Sequence, residues 1–107
     1  MDPISPAEMR QAASNLFHEW WVPMIEDSAR LHKPGYQVYA VLTMPRMLFT
    51  LEHGTVATKS AAAKWAIGTL DKKWAALVHQ ALLWRDGQRL DHLSGTLSFL
   101  KYMADRT

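Results

Sequence analysis

The 107-residue chain reads as an all-α protein, an antiparallel bundle of about five helices, and three observations lead there. Apolar residues recur at three- and four-residue steps in every long segment, and no run keeps the period of two that a strand requires. Residues suited to helix ends stand where these patterns begin or stop, at Ser5, Gly54, Thr58 and Asp71. The connecting stretches are only a few residues long, which favours antiparallel neighbours over separate domains or a linker. With 49% hydrophobic residues the chain can build one core, and it is too short for two ordinary domains. A single helical domain over residues 1–107 is the expected organisation, without internal repeats or low-complexity segments.

In ISPAEMRQAASNLFHEWW, Ser5, Pro6 and Glu8 fit the N-cap, first helical position and N3 of a capping box. Met9, Ala13, Leu16, Phe17, Trp20 and Met24 then form one apolar face, with Trp21 beside it. Pro23 has no amide hydrogen, so the expected helix kinks near Glu19 and Trp20 and continues to about Asp27. The Pro-Gly pair of HKPGY signals a turn. A second helix is expected over roughly 36–52, with Val38, Val41, Leu42, Leu48, Phe49 and Leu51 in its pattern and Gly54 just past its end. Pro45 lies inside it, where proline costs about 3 kcal/mol relative to a good helix former, so a bend is expected near the freed Val41 carbonyl. The third helix, about 59–69, is capped by Thr58, and its alanines allow a close neighbour. The fourth, about 72–85, is capped by Asp71, turns Trp74, Leu77, Val78, Ala81 and Leu82 inward, and ends at RDGQ. The fifth, about 89–104, carries Leu90, Leu93, Leu97, Leu100 and Ala104 on one stripe.

Twelve Lys and Arg against ten Asp and Glu leave a net charge of +2 without a concentrated basic tract, so charge does not point to nucleic acid. The absence of cysteine excludes disulfides, zinc–thiolate sites and a thiol nucleophile. No run of about eighteen apolar residues and no leader-like start occurs, so a cytoplasmic protein away from membranes is expected. There is no P-loop, dinucleotide-binding glycine run, nucleophile elbow or HExxH motif. His18-Glu19 and Asp91-His92 are adjacent pairs, which point to different helix faces, and no metal site is expected. Of the five tryptophans, Trp65 and Trp74 fit a core. Trp20 and Trp21 are about 100° apart on a helix, so they cannot easily share one core; one of them meets a partner surface or lines a cleft, and simple partial burial is the plain alternative. Lys59 opens the third helix, where unpaired amides carry partial positive charge and favour phosphates; an exposed lysine without a ligand is the plain alternative. Lys64, Lys72 and Lys73 read as a solvated face.

The stretch YAVLTMPRMLFTLEHGTVATKSAAAKWA, Tyr39 to Ala66, resembles the C-terminal helical domain of aminoglycoside adenylyltransferases, the spectinomycin and streptomycin resistance enzymes. Leu42, Thr43, Arg46, Phe49, Gly54, Lys59, Ala62, Ala63, Trp65 and Ala66 carry the resemblance, and LFHEWWVPMIED and FLKYM extend it weakly in both directions. It implies a helical bundle that packs against an N-terminal nucleotidyltransferase domain, with ATP and the aminoglycoside in the cleft between them. It also implies that Lys59 and Tyr102 reach the nucleotide, Lys59 balancing phosphate charge and Tyr102 offering a ring and a hydroxyl. A cationic aminosugar needs acidic and aromatic groups, for which Glu26, Asp27, Trp21, Tyr36 and Tyr39 are candidates by composition and position.

Two departures accompany the resemblance. Pro45 stands where the family commonly has Cys or Ser. The Gly-Ser motif, the paired aspartates that hold magnesium and the carboxylate that activates the acceptor belong to the family's N-terminal domain and do not occur in these 107 residues. The expectation is therefore a substrate- and nucleotide-binding half that is inactive alone. ATP with Mg2+ is used only in a complete enzyme, with a nucleotidyltransferase domain supplied in cis or in trans. Two alternatives are a stand-alone protein that sequesters aminoglycosides and a non-catalytic homodimer that uses the partner-facing surface.

Overall fold

The computed structural model describes residues 5–84 and 93–106. Among them the order is α1 (Pro6–Leu16), a π turn (Phe17–Trp21), α2 (Pro23–Glu26), a 3-10 turn (Ala29–His32), α3 (Pro34–His53), α4 (Lys59–Thr69), α5 (Lys72–Leu83) and α6 (Leu93–Arg106). No strand occurs among the described residues, and the fold is an all-α bundle. Among the described residues no helix is long and apolar enough to cross a membrane.

The capping box forms as expected. The Ser5 hydroxyl accepts a hydrogen bond from the Glu8 amide at 3.1 Å and donates to the Glu8 carboxylate at 3.2 Å. Downstream, Pro23 cannot donate to the ladder, and the turn before it is a wide one in which the Val22 amide reaches the Phe17 carbonyl at 3.0 Å. The extra residue in that turn shifts the register by one. Phe17, Trp21 and Met24 are buried, whereas Leu16 and Trp20 are 53% and 43% exposed. The expected face through Leu16 and Trp20 is thus corrected: Trp21 enters the core and Trp20 stands outside.

Helix α3 begins at Pro34, two residues earlier than the Pro-Gly turn suggested, because proline at the first helical position has its φ already set and lacks an amide that would be unpaired anyway. It continues unbroken through the buried Pro45 to His53. Gly54 stops it in the left-handed region, φ 72°, with its amide on the Thr50 carbonyl at 2.8 Å. Helix α3 is the hub, packed against α1, α4, α5, α6 and the 3-10 turn. Ala40, Val41, Met44, Met47 and Leu48 give it an inward stripe in the main core.

Helix α4 meets its neighbours α3 and α5 through Ala62, Ala63 and Ala66, each fully buried, so its backbone can come close. Asp71 occupies the N-cap of α5, and its main-chain carbonyl, not its side chain, accepts from Trp74 and Ala75 at 3.0 and 2.9 Å. Helix α5 ends at Leu83; RDGQ, Leu90 and the Asp91-His92 pair lie outside the described residues. On α6 the deepest residues are Thr96, Phe99, Leu100 and Met103, with Leu93, Leu97 and Ala104 half-buried. Its buried face is therefore rotated from the expected leucine stripe, because Phe99 stacks on Trp74 of α5 at 5.1 Å between ring centres.

Candidate functional site

The connection from Gly54 to Thr58 determines where α4 starts. Arg46 Nε donates to the Ala57 carbonyl at 3.2 Å, tying the connection to α3. The Thr58 hydroxyl accepts from the Ala61 amide at 3.2 Å and its carbonyl from Ala62 at 2.9 Å, a formed N-cap that places Lys59 as the first helical residue. Lys59 is exposed and borders a cavity of about 390 Å³ together with Val38, Tyr39, Leu42, Thr43 and Arg46 of α3. Two cations and no carboxylate line this cavity. The Thr58 hydroxyl takes one of the first amides of α4, and the Lys59 and Arg46 side chains bring two full positive charges to the same cavity.

A second cavity of about 380 Å³ lies on the other side of the same α3 residues. Tyr39, Thr43 and Arg46 border both cavities, and Met9, Ala13, Leu16, Met47 and Val56 make the second one largely apolar. Tyr39 is 53% exposed, and its ring is braced from behind by Trp21 and Tyr36, each with its ring centre 5.4 Å away. Trp21 is 1% exposed, so it supports the tyrosines and offers no surface to a ligand. The Tyr36 hydroxyl in turn accepts from the Trp20 indole N–H at 3.3 Å.

The remaining candidates lie elsewhere. Tyr102 is half-buried, 5.1 Å from the Trp74 ring centre with the Arg106 guanidinium 4.6 Å over its own ring, and it borders neither cavity. Glu26 is exposed at the end of α2. Asp27 accepts from the Ala29 amide at 3.4 Å and borders a third cavity of about 310 Å³ with Glu19, Trp20 and Arg30. The structure thus brings Lys59 and Tyr39 together, with Trp21 and Tyr36 behind them.

Arg46 had no role assigned from sequence beyond matching the family pattern. The signal was present: Tyr39, Thr43 and Arg46 are spaced by four and three, which sets them on one face of α3. Among the described residues no group of three or more His, Cys, Asp or Glu side chains could hold a metal ion. No curated protein and no solved structure gives a significant match to the chain. The family model described as aminoglycoside adenylyltransferase, C-terminal domain, matches residues 1–107, and the chain belongs to that family.

Proposed function

We propose that the chain is the substrate- and nucleotide-binding helical half of an aminoglycoside nucleotidyltransferase, an antibiotic-resistance enzyme of the cytoplasm that works when a nucleotidyltransferase domain is joined to it in cis or in trans. The observation that carries this, in a chain of this family, is the cavity lined by Arg46 and Lys59 without a carboxylate. Two cations at one cavity fit a polyphosphate: Arg46 can meet two oxygens through its fork, and Lys59 acts as a point charge. Tyr39 and Thr43 form the wall beside them. Tyr102, its ring held by Trp74 and Arg106, is assigned a hydroxyl contact with the same nucleotide where it extends beyond that cavity. No set of described residues fits a magnesium ion, which is assigned to the other domain together with the acceptor-activating carboxylate.

Leu16 and Val56, 53% and 69% exposed, border the apolar cavity next to the cationic one. An apolar surface adjoining the phosphate site suits a covering domain that also closes the site to water. The test is adenylyl transfer from labelled ATP to streptomycin, spectinomycin or gentamicin. The chain alone should transfer nothing, and addition or fusion of a related nucleotidyltransferase domain should restore transfer. Failure with every related catalytic domain overturns the proposal. Calorimetric binding of a drug to the isolated chain without restored transfer would favour sequestration. A dimeric mass by light scattering would favour the interaction module.

A further inference from the structure

The third cavity has the opposite charge character to the Lys59 cavity. Glu19 and Asp27 stand in its wall with Trp20 and Met24, and Arg30 is the one cation there. Trp20 is at the surface because the π turn moves it out of the core, and its indole N–H is tied to the Tyr36 hydroxyl at 3.3 Å. The Arg30 guanidinium lies over the Trp20 ring, 4.9 Å from the ring centre. Among the described residues Glu19 forms no ion pair, and Asp27 accepts only the Ala29 amide. The protein's own guanidinium therefore rests on an indole face beside two carboxylates that it does not engage.

We infer that this cavity is a subsite for a guanidinium or ammonium group of the acceptor, and that Arg30 is the intramolecular occupant the acceptor displaces. The inference rests on the function proposed above only in naming the acceptor as a polycation. An incoming guanidinium keeps the contact with the Trp20 face and adds charge-assisted hydrogen bonds to Glu19 and Asp27. Charge separation supplies the reason for placing it there. A polycation close to Arg46 and Lys59 is repelled by them unless its far end is anchored among carboxylates. The two ends are joined by Tyr36, bonded to Trp20, and by Tyr39, which is 5.4 Å from Tyr36 and borders the cationic cavity. An acceptor lying along these tyrosines would have its cation in one cavity and its reacting hydroxyl near the other.

The experiment is titration of the chain with agmatine and with streptomycin, which carry guanidinium groups, followed by the Trp20 indole N–H resonance and by calorimetry. The Trp20 resonance should shift saturably while that of the buried Trp74 does not. Trp20→Leu should weaken binding by about fivefold, and combined Glu19→Gln and Asp27→Asn by tenfold or more. Arg30→Ala should tighten binding by about threefold, since it removes the competing guanidinium, and a misfolded variant would not do this. No shift of Trp20 at the highest soluble probe concentration, or weaker binding in Arg30→Ala, overturns the inference. If the reconstituted enzyme transfers adenylate to streptomycin with KM unchanged in Trp20→Leu, the subsite falls and the adenylyltransferase function stands. If the titration succeeds but no catalytic domain restores transfer, the subsite stands and that function falls.

Discussion

Replacing Gly54 by alanine should be the most damaging glycine-to-alanine change among the described residues. Gly54 has φ 72°, a region in which an L residue with a Cβ is worse by about 1–2 kcal/mol. The added Cβ would also stand 2.5 Å from Pro6 Cβ and 3.0 Å from Pro6 Cα, and a proline ring at the first position of α1 cannot rotate away. The start of α1 must therefore move off the end of α3. That movement strains the Arg10 bonds to the Leu51 and Glu52 carbonyls, now 3.1 and 3.4 Å, which together contribute about 1 kcal/mol. The sum is about 2–3 kcal/mol, a large part of the roughly 5–15 kcal/mol that holds a domain of this size together. It corresponds to a fall in Tm of about 15 °C, measurable by circular dichroism at 222 nm. Gly68→Ala is the control: its Cβ meets nothing within 4 Å inside α4, so the same substitution there should stabilise by up to about 1 kcal/mol. A Gly54→Ala protein melting within about 3 °C of the parent would refute the steric argument, because a loss that small is below 1 kcal/mol.

Thr58→Ala removes the acceptor for the Ala61 amide and should cost about 1 kcal/mol by urea denaturation, with the fraying confined to the end of α4 that carries Lys59. Thr96→Val replaces a buried hydroxyl that has no hydrogen-bond partner with a methyl of the same shape, and should raise stability by about 1 kcal/mol in the same assay. With a nucleotidyltransferase domain supplied, Arg46→Gln and Lys59→Ala should each raise KM for ATP by about tenfold, and Lys59→Arg by much less. Added salt should weaken nucleotide binding to the parent more than to either variant, since both cations are exposed.

Much of this architecture was legible because each element is governed by local chemistry. The Ser5 box, the Thr58 cap and the Gly54 stop need only side-chain oxygens at the right offset and a residue without Cβ, and all three form. What was not legible depends on distances in space. The Trp20–Trp21 choice turned on whether Pro23 would bend the helix or widen one turn; the hydrophobic pattern alone favours Trp20, and the π turn reverses it. The same shift that buries Trp21 behind Tyr36 and Tyr39 sets Trp20 against Arg30, so a local backbone choice decides which tryptophan braces the site and which can face a ligand. Lys59 was conspicuous in the sequence as a helix start, but its partner Arg46 is thirteen residues earlier on another helix. Only the packing of α3 against α4 sets these two exposed cations on the wall of one cavity. Tyr102 shows the converse: a residue singled out by resemblance can have its ring set by the packing of α5 on α6, and a role at the nucleotide then requires the ligand to extend beyond the Arg46–Lys59 cavity.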